Sequence, residues 1–562
     1  MRAGVFSLLC GVLLLAQGAT AQDPVSVAGF RSSRWVLSRD GGSKYACKCY
    51  PGDYCWPNNG QWQKLNKTVG GNLQVFLPPG APCYNTFKGP LGDAQTYNAD
   101  KCATVTANWN NEQFQIELPA AGLWIYLTND TCRPATSPSN TCTLGYYPVV
   151  VIMAKAAAHI QAGINFAQEN NLQLIIRNTG HDFLGRSLGW GARVINTHSF
   201  QDTKFTNAWR GASGYKGSAV TVGAGVQAFD VLKQANALQP PKVMVTGECA
   251  FKVITADGVL RTANAKTNAD LFWALRGGGP AAFGVIVEAM YKTFDDKPSS
   301  GVMFDIDTTT TTNATLIHFV DNGLYVYYEL GTMGHNLHMH PIVGIGKTPA
   351  ELDAVLQPMY DDLVAIGITP SVTKQNFSTF YDLYQAMFES EVAGNSALTG
   401  GWTIGREDVA NNHSAIISAF QTVVSAGSFM IGHMWSAGHG LPQAEWNNSA
   451  VNPRFRNVVD KLITIVPVAG NAPLADKAAA QSKLTNVVDA ALWNAAPNGC
   501  AYINEADPYE PNWQNAFWGN NYPALLEIRR KWDPNGVFYA VSTPGTENWE
   551  QTETGTRLCF KL

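Results

Sequence analysis

The sequence predicts an α+β protein built from several compact units, and three observations carry that expectation. The chain has 562 residues, 46% hydrophobic and only 15% charged, enough for three or four units of about 150 residues or two larger ones. From Tyr147 onward, helical patterns alternate with short apolar runs that end in glycine-rich turns, the signature of strands and helices joined tightly. Between 301 and 480 the texture changes to strand-like alternation, interrupted by helical stretches such as 349–366.

The elements follow in order. Arg2, an apolar run over 5–16 and Ala19-Thr20-Ala21 form the charged, hydrophobic and cleavage regions of a secretory signal, so 1–21 is expected to be removed and the mature chain to start near Gln22. Later in the chain, no run reaches 18 uninterrupted apolar residues, because Lys155 breaks the best candidate, 148–160; an exported rather than membrane-spanning protein is expected. Six Asn-x-Ser/Thr sequons, at Asn66, Asn129, Asn313, Asn376, Asn412 and Asn447, fit N-glycans on such a product. Of the ten cysteines beyond Cys10, seven (Cys47, Cys49, Cys55, Cys83, Cys102, Cys132, Cys142) crowd the first quarter, which reads as a disulfide-stapled cap of open pairing. Their spacing matches no zinc ribbon. Lys+Arg 39 against Asp+Glu 43, net charge -4, with no basic stripe, removes the electrostatic basis for binding nucleic acid.

A helix over 153–170 leads into a strand over 172–176 and the loop Arg177-Asn178-Thr179-Gly180-His181-Asp182-Phe183-Leu184-Gly185-Arg186-Ser187. A strand over 219–222 then meets Gly223-Ala224-Gly225 and a helix over 227–237, and a helix over 269–275 meets Gly277-Gly278-Gly279 and a strand over 284–291. Such turns let backbone N–H groups approach a phosphate closely. Gly223-Ala-Gly225-Val-Gln-Ala228, with Glu248 about 20 residues on, satisfies the relaxed dinucleotide fingerprint. The following strand, however, spans only 243–245 behind Pro240-Pro241, and a freely exchanging nicotinamide suits an exported protein poorly, so a packing turn is the preferred reading. His181, flanked by Arg177 and Arg186, is either a turn histidine satisfied by a carbonyl or an imidazole nucleophile in an electropositive loop whose cations keep it neutral. Cys249 stands apart from the other cysteines, as a buried thiol, a distant disulfide partner or a functional residue.

In the middle of the chain, His335-x-x-His338-x-His340 is a metal-like constellation. His338 and His340 project from one strand face, but the motif carries no carboxylate, a strand lining a substrate pocket explains it equally well, and no metal is assigned. Near the C-terminus, Tyr502 and Asn504 are read as two apart on a strand and thus on one side, with Tyr509, Trp513 and Trp518 as aromatic neighbours for a core tyrosine.

Five motifs carry a resemblance: the loop Arg177–Ser187, Val222-Gly-Ala-Gly-Val-Gln227, Val253-Ile-Thr-Ala-Asp-Gly258, Ala269-Asp-Leu-Phe-Trp-Ala-Leu-Arg-Gly-Gly-Gly279 and Tyr502-Ile-Asn-Glu-Ala-Asp-Pro-Tyr509-Glu510. Together they resemble the fungal secreted FAD-linked oxidoreductases, the berberine-bridge-enzyme-like branch of the vanillyl-alcohol-oxidase superfamily, over nearly the whole mature chain. The resemblance implies a signal at 1–21, a Cys-rich cap at 22–145, a two-lobed PCMH-type FAD-binding domain at 146–298, a substrate domain with an antiparallel sheet backed by helices at 299–490, and a C-terminal segment at 491–562 returning to the FAD domain. It implies that His181 joins the flavin covalently, with Cys249 as a second tether. It makes the loop Arg177–Ser187 (Arg177, Asn178, Thr179, Gly180, Asp182, Gly185, Arg186 and Ser187) the pyrophosphate cradle, adds Gly284 and Ile286 to the cofactor contacts, and sets Tyr502 as candidate base with Asn504 near the flavin's polar edge. A phenol, whose ordinary pKa is about 10, needs neighbouring cations or hydrogen bonds to act so.

One departure stands out. After Thr-Gly-x-Cys the family continues with Pro-Thr-Val-Gly and a glycine-rich stretch, whereas this chain runs from Cys249-Ala250 straight into Phe251, which implies weaker hold on the flavin phosphates. The expected activity is FAD-dependent oxidation of an alcohol or activated C–H bond in a small molecule (a secondary metabolite, alcohol or sugar), with molecular oxygen as electron acceptor. The alternative is a degenerate, flavin-free secreted binding module.

Overall fold

The computed structural model describes residues 25–27, 30–32, 35–40, 43–122, 132–212, 214–279, 282–306, 323–331, 337–388, 397–469, 472–552 and 556–562. The signal segment, Asn129, Asn313 and His335 therefore lie outside the described residues.

Val150–Met153, Arg193–Asn196 and Leu174–Arg177 form a parallel sheet. Leu73–Val75, from the Cys-rich segment, adds an antiparallel edge to it. The run Val150-Val-Ile-Met153 is almost wholly buried, as strands of a covered parallel sheet are. Met153 thus belongs to a strand, and the helix expected from 153 begins at Ala157 and ends at Glu169.

A second sheet is antiparallel, ordered Thr203–Arg210, Lys216–Gly223, Val285–Asp295, Lys242–Ile254, Leu260–Asn264. The strand expected over 243–245 is in fact part of the continuous Lys242–Ile254, which crosses the Cys249-Ala250-Phe251 junction. The junction is absorbed as register shifts against Val285–Asp295, because β-bulges take up extra residues without ending a ladder.

The third sheet has eight strands, in the order Thr373–Phe377, Ser299–Ile306, Leu337–Ile345, Tyr325–Leu330, Phe429–Met434, Val458–Pro467, Ala397–Gly400, with Thr403–Gly405 also on Val458–Pro467. Its apolar face (Phe304, Val326, Met339, Met430, Leu462) shares one core with Leu352, Leu356, Ile416 and Val423 of the helices Pro349–Ala365 and His413–Ser425. The first of these helices starts where its sequence dictates: Thr348 and Glu351 form a capping box ahead of Pro349.

The chain ends meet. Val36–Asp40 and Ser43–Cys47 pair with Arg557–Lys561 and Trp549–Thr552, and Cys47 is bonded to Cys559. Among the described residues the other bridges are local: Cys49–Cys55, Cys83–Cys102 and Cys132–Cys142. Among the described residues, no helix is long and apolar enough to cross a membrane.

Candidate functional site

Arg177 closes the parallel strand Leu174–Arg177, and its side chain turns inward, 1% exposed. The guanidinium donates to the carbonyls of Gln115 (3.1 Å), Ile116 (3.3 Å), Leu118 (2.8 Å), Ala121 (3.2 Å) and Thr179 (3.1 Å). Burial pushes it down to about 10, so it stays charged at neutral pH with carbonyl dipoles as its counter-charge. Its role is therefore to clamp residues 115–121 under the loop, and its side chain does not point at a ligand.

That clamp brings Glu112 to His181. His181 Nε2 lies 2.5 Å from Glu112 Oε1 and Nδ1 2.7 Å from Thr179 Oγ1. A carboxylate only accepts, so Nε2 donates to Glu112, and Nδ1 is hydrogen-bonded to the Thr179 hydroxyl. The ring keeps 35% of its side-chain surface open. The side-chain partners are the Thr179 hydroxyl and a carboxylate 69 residues upstream, not the backbone carbonyl expected of a turn histidine.

The next residues lock the loop. Asp182 accepts from the Leu184 and Arg186 N–H groups (3.1 and 2.7 Å) and from Arg186 Nε (2.7 Å). Arg186 Nη2 reaches the Ile503 carbonyl and Asn504 Oδ1 (3.2 and 3.1 Å). Asn504 Nδ2 donates to the His181 carbonyl (2.7 Å), and Phe183 N–H donates to the Asn504 carbonyl (3.1 Å). These bonds also explain a correction: 502–504 form a turn, closed by Glu505 N–H on the Tyr502 carbonyl, not the expected strand.

A test of whether FAD fits comes from the loop itself. Gly180 and Gly185 have φ of +92° and +76°, a region that favours glycine. Among the described residues, none of the backbone N–H groups of Asn178–Asp182 has a protein acceptor, and Arg186 Nη1 is buried without a partner. Consecutive free amides beside a cation suit a pyrophosphate. The dinucleotide-like turn behaves oppositely. The N–H groups of Gly223, Ala224, Gly225 and Val226 donate to Asp202, Val287, Phe200 and Gly223, while a Cβ on Gly223 or Gly225 would sit 2.3 or 2.1 Å from the Phe200 or His198 carbonyl oxygen. Those glycines serve backbone packing. Asn178 ties the two turns together, donating from Nδ2 to the Ala224 carbonyl (2.7 Å).

Of the other expected cofactor residues, Gly284 is pressed against Val253 and the Ile254 carbonyl, Ile286 packs against the large core, and Ser187 is half-buried in the loop. Cys249 lies in the strand Lys242–Ile254; its side chain is outside the described residues.

Tyr502 opens the turn that is held to the loop Arg177–Ser187 and is 43% exposed. It is no core tyrosine: Tyr509 is 66% exposed, and the aromatic cluster consists of Trp513, Trp518 and Tyr522. Surrounding protein pushes the Tyr502 phenol up to about 12, with Glu505 adding to the effect and Arg186 opposing it. Lys461 Nζ lies 5.4 Å from the Tyr502 ring centroid and pairs with Glu505. Beside Lys461 on the next strand is His433, which burial, then Lys461, pushes down to about 3, and which meets Tyr325 Oη at 2.9 Å. Sequence reasoning missed Glu112, Lys461, Glu505 and His433. Only Lys461 left a signal, as part of the charged pair Asp460-Lys461 inside the apolar run Val458–Pro467.

A parallel sheet whose loop Arg177–Ser187 offers free amides and is tied to an antiparallel sheet through Asn178, with a larger antiparallel sheet in the same chain, is the arrangement expected of an FAD-binding oxidoreductase. Comparisons with known proteins agree. The family described as "Berberine and berberine like" matches residues 501–541. An FAD-linked oxidoreductase of Gibberella zeae, ZEB1, is 32% identical over 559 residues, covering 91% of this chain and 95% of the relative. The VAO-type flavoprotein MtVAO615 of Myceliophthora thermophila superposes with a TM-score of 0.81 at 28% identity, covering 92% of this chain and 100% of that one. The chain belongs to the berberine-bridge-enzyme-like FAD-linked oxidoreductases of the vanillyl-alcohol-oxidase superfamily, and its cofactor is FAD. The flavin-free reading is thereby not favoured. An alignment with the FAD-linked oxidoreductase sor8 of Hypocrea jecorina, 30% identical, runs over 603 positions and takes in all of both chains. This chain has 562 residues, so that relative carries residues lacking here.

Proposed function

We propose that the protein oxidises an alcohol or activated C–H bond of a small molecule and uses oxygen as electron acceptor, with FAD bound covalently through His181. One observation carries the reading: Ile503 and Asn504 hold both the His181 carbonyl and the Arg186 guanidinium, so the turn that carries Tyr502 is fastened to the loop that carries His181. FAD supplies hydride acceptance when bound. The free amides of Asn178–Asp182 would hold its pyrophosphate, and the Nδ1 lone pair of His181, oriented by Glu112, is the nucleophile for attachment. Cys249 is the candidate second tether.

On the substrate side, Tyr502 takes the hydroxyl proton. Its raised pKa means that the resting site holds the phenol, so the phenol first releases its own proton to solvent, to which it is 43% exposed, and the phenolate, favoured by the Lys461 ammonium, then takes the substrate proton. Export, with cleavage after residue 21, is part of the same reading. Four disulfides suit an oxidising compartment, and the exposed sequons Asn376 and Asn447 are the favoured glycan sites.

The test is denaturation of the purified yellow protein followed by peptide mass analysis. A His181 peptide carrying FAD mass, and hydrogen peroxide formed in equal amount to substrate oxidised, are expected. Full recovery of the flavin in the acid-soluble fraction would refute the His181 tether, and reduction of dyes without peroxide would refute the oxidase.

A further inference from the structure

The eight-stranded sheet has a second, polar face. Asp305 on Ser299–Ile306 stands directly opposite His338 on Leu337–Ile345, and Glu329 on Tyr325–Leu330 stands opposite His338 from the other side. His340 lies two residues along on the same face, and its ring stacks on that of His338, with centroids 3.7 Å apart at 15°. Both imidazoles turn a nitrogen toward one oxygen: Asp305 Oδ1 is 2.5 Å from His338 Nδ1 and 3.6 Å from His340 Nε2. The three side chains keep 37%, 18% and 20% of their surface open, so the cluster is sheltered but not sealed from solvent. The carboxylate that the histidine motif lacked in sequence comes from the neighbouring strand, 33 residues away.

We propose that Asp305, His338 and His340 form a binding site for a divalent first-row transition-metal ion. The three donor atoms lie within 4.8 Å of one another. An ion about 2.0–2.1 Å from each donor needs them about 3.3 Å apart, a spacing reached by moving His338 off Asp305 by less than about 1 Å. Two imidazoles and one carboxylate are the donor set that such ions prefer over magnesium or calcium. All three ligands rise from the sheet floor, on one face of neighbouring strands. Glu329, held by the Tyr327 hydroxyl at 3.0 Å, adds a second negative charge beside the imidazoles. The site is separate from the candidate base. His340 begins a polar row that continues through Tyr327, His433 and Lys461, and at about 4.8 Å per strand the ion sits about 14 Å from Lys461.

The experiment uses tag-free, flavin-loaded protein dialysed against chelator, titrated calorimetrically with Zn²⁺ and, in parallel, with Co²⁺ read by its visible d–d bands. One ion per chain is expected. Asp305→Asn and His338→Ala should weaken it at least tenfold, and Zn²⁺ should raise the melting temperature of the wild type only. His340→Gln serves as an independent probe where His338→Ala does not fold. Absence of micromolar binding by the wild type overturns the proposal, as does binding that the folded variants leave unchanged.

Discussion

Glu510 sits beside the turn that carries Tyr502, and its titration should be readable in the stability of the whole protein. It is 7% exposed and accepts the Asn512 N–H at 3.2 Å. Burial, with Asp507 close by, pushes it from 4.5 up to about 7. The folded chain therefore keeps this proton at pH values where the unfolded chain has released it. Its contribution is complete at and below about pH 4.5, falls as pH rises toward 7, and is constant above. At about 1.4 kcal/mol per pH unit, the ionised form costs the fold about 3 kcal/mol. Glu510→Gln keeps a neutral hydrogen-bonding group of the same shape and removes the titration. Urea unfolding followed by tryptophan fluorescence at pH 4.5 and pH 8 should show the variant gaining about 2–3 kcal/mol on the wild type at pH 8 relative to pH 4.5. An identical difference at both pH values would refute the reasoning.

Other expectations follow from the site. Because the Tyr502 phenol lies near 12, kcat/KM should climb with pH well past neutrality without a plateau, Tyr502→Phe should lower it about 10²–10⁴-fold, and Lys461→Met should lower it about tenfold. Glu112→Gln should slow covalent flavin incorporation at least tenfold, measured as the acid-soluble flavin fraction, while leaving the melting temperature within a few degrees. Arg177→Met leaves the carbonyls of residues 115–121 without their donor and should cost about 3–5 kcal/mol in unfolding free energy. Gly225→Ala drives a methyl into the His198 carbonyl and should sharply reduce soluble yield.

What could be seen in advance was local. The helix Ala269–Leu275 was bounded by its own residues, and the loop Arg177–Ser187 announced itself through glycines that positive φ requires. The alternation between 301 and 480 was legible as strands, whereas their joining in one antiparallel sheet backed by helices was implied by the family resemblance. What escaped reading depends on segments far apart in sequence. Glu112 reaches His181 only because Arg177 pulls residues 115–121 inward, and Asp305 reaches His338 only through sheet register. Tyr502-x-Asn504 imitated strand alternation, yet its backbone is spent on Arg186 and Phe183, which no period of two encodes. Pro240-Pro241 ahead of 243–245 suggested a short strand, but pairing with Val285–Asp295 outweighed that weak local preference.

The Cys47–Cys559 bridge, 512 residues apart in sequence, turns a linear polymer into a ring and sets a timetable for making it. At about 5–20 residues per second of synthesis, the Cys47 thiol waits about 25–100 s before its partner exists. Cys49 and Cys55, six residues apart, become available almost together, and that early closure takes the nearest rival thiols out of circulation. The terminal strands can then pair only when the last residues arrive. Assembly of the closed molecule is therefore a last-in event, and a chain shortened by even its final few residues loses the latch that the first segment has been holding open.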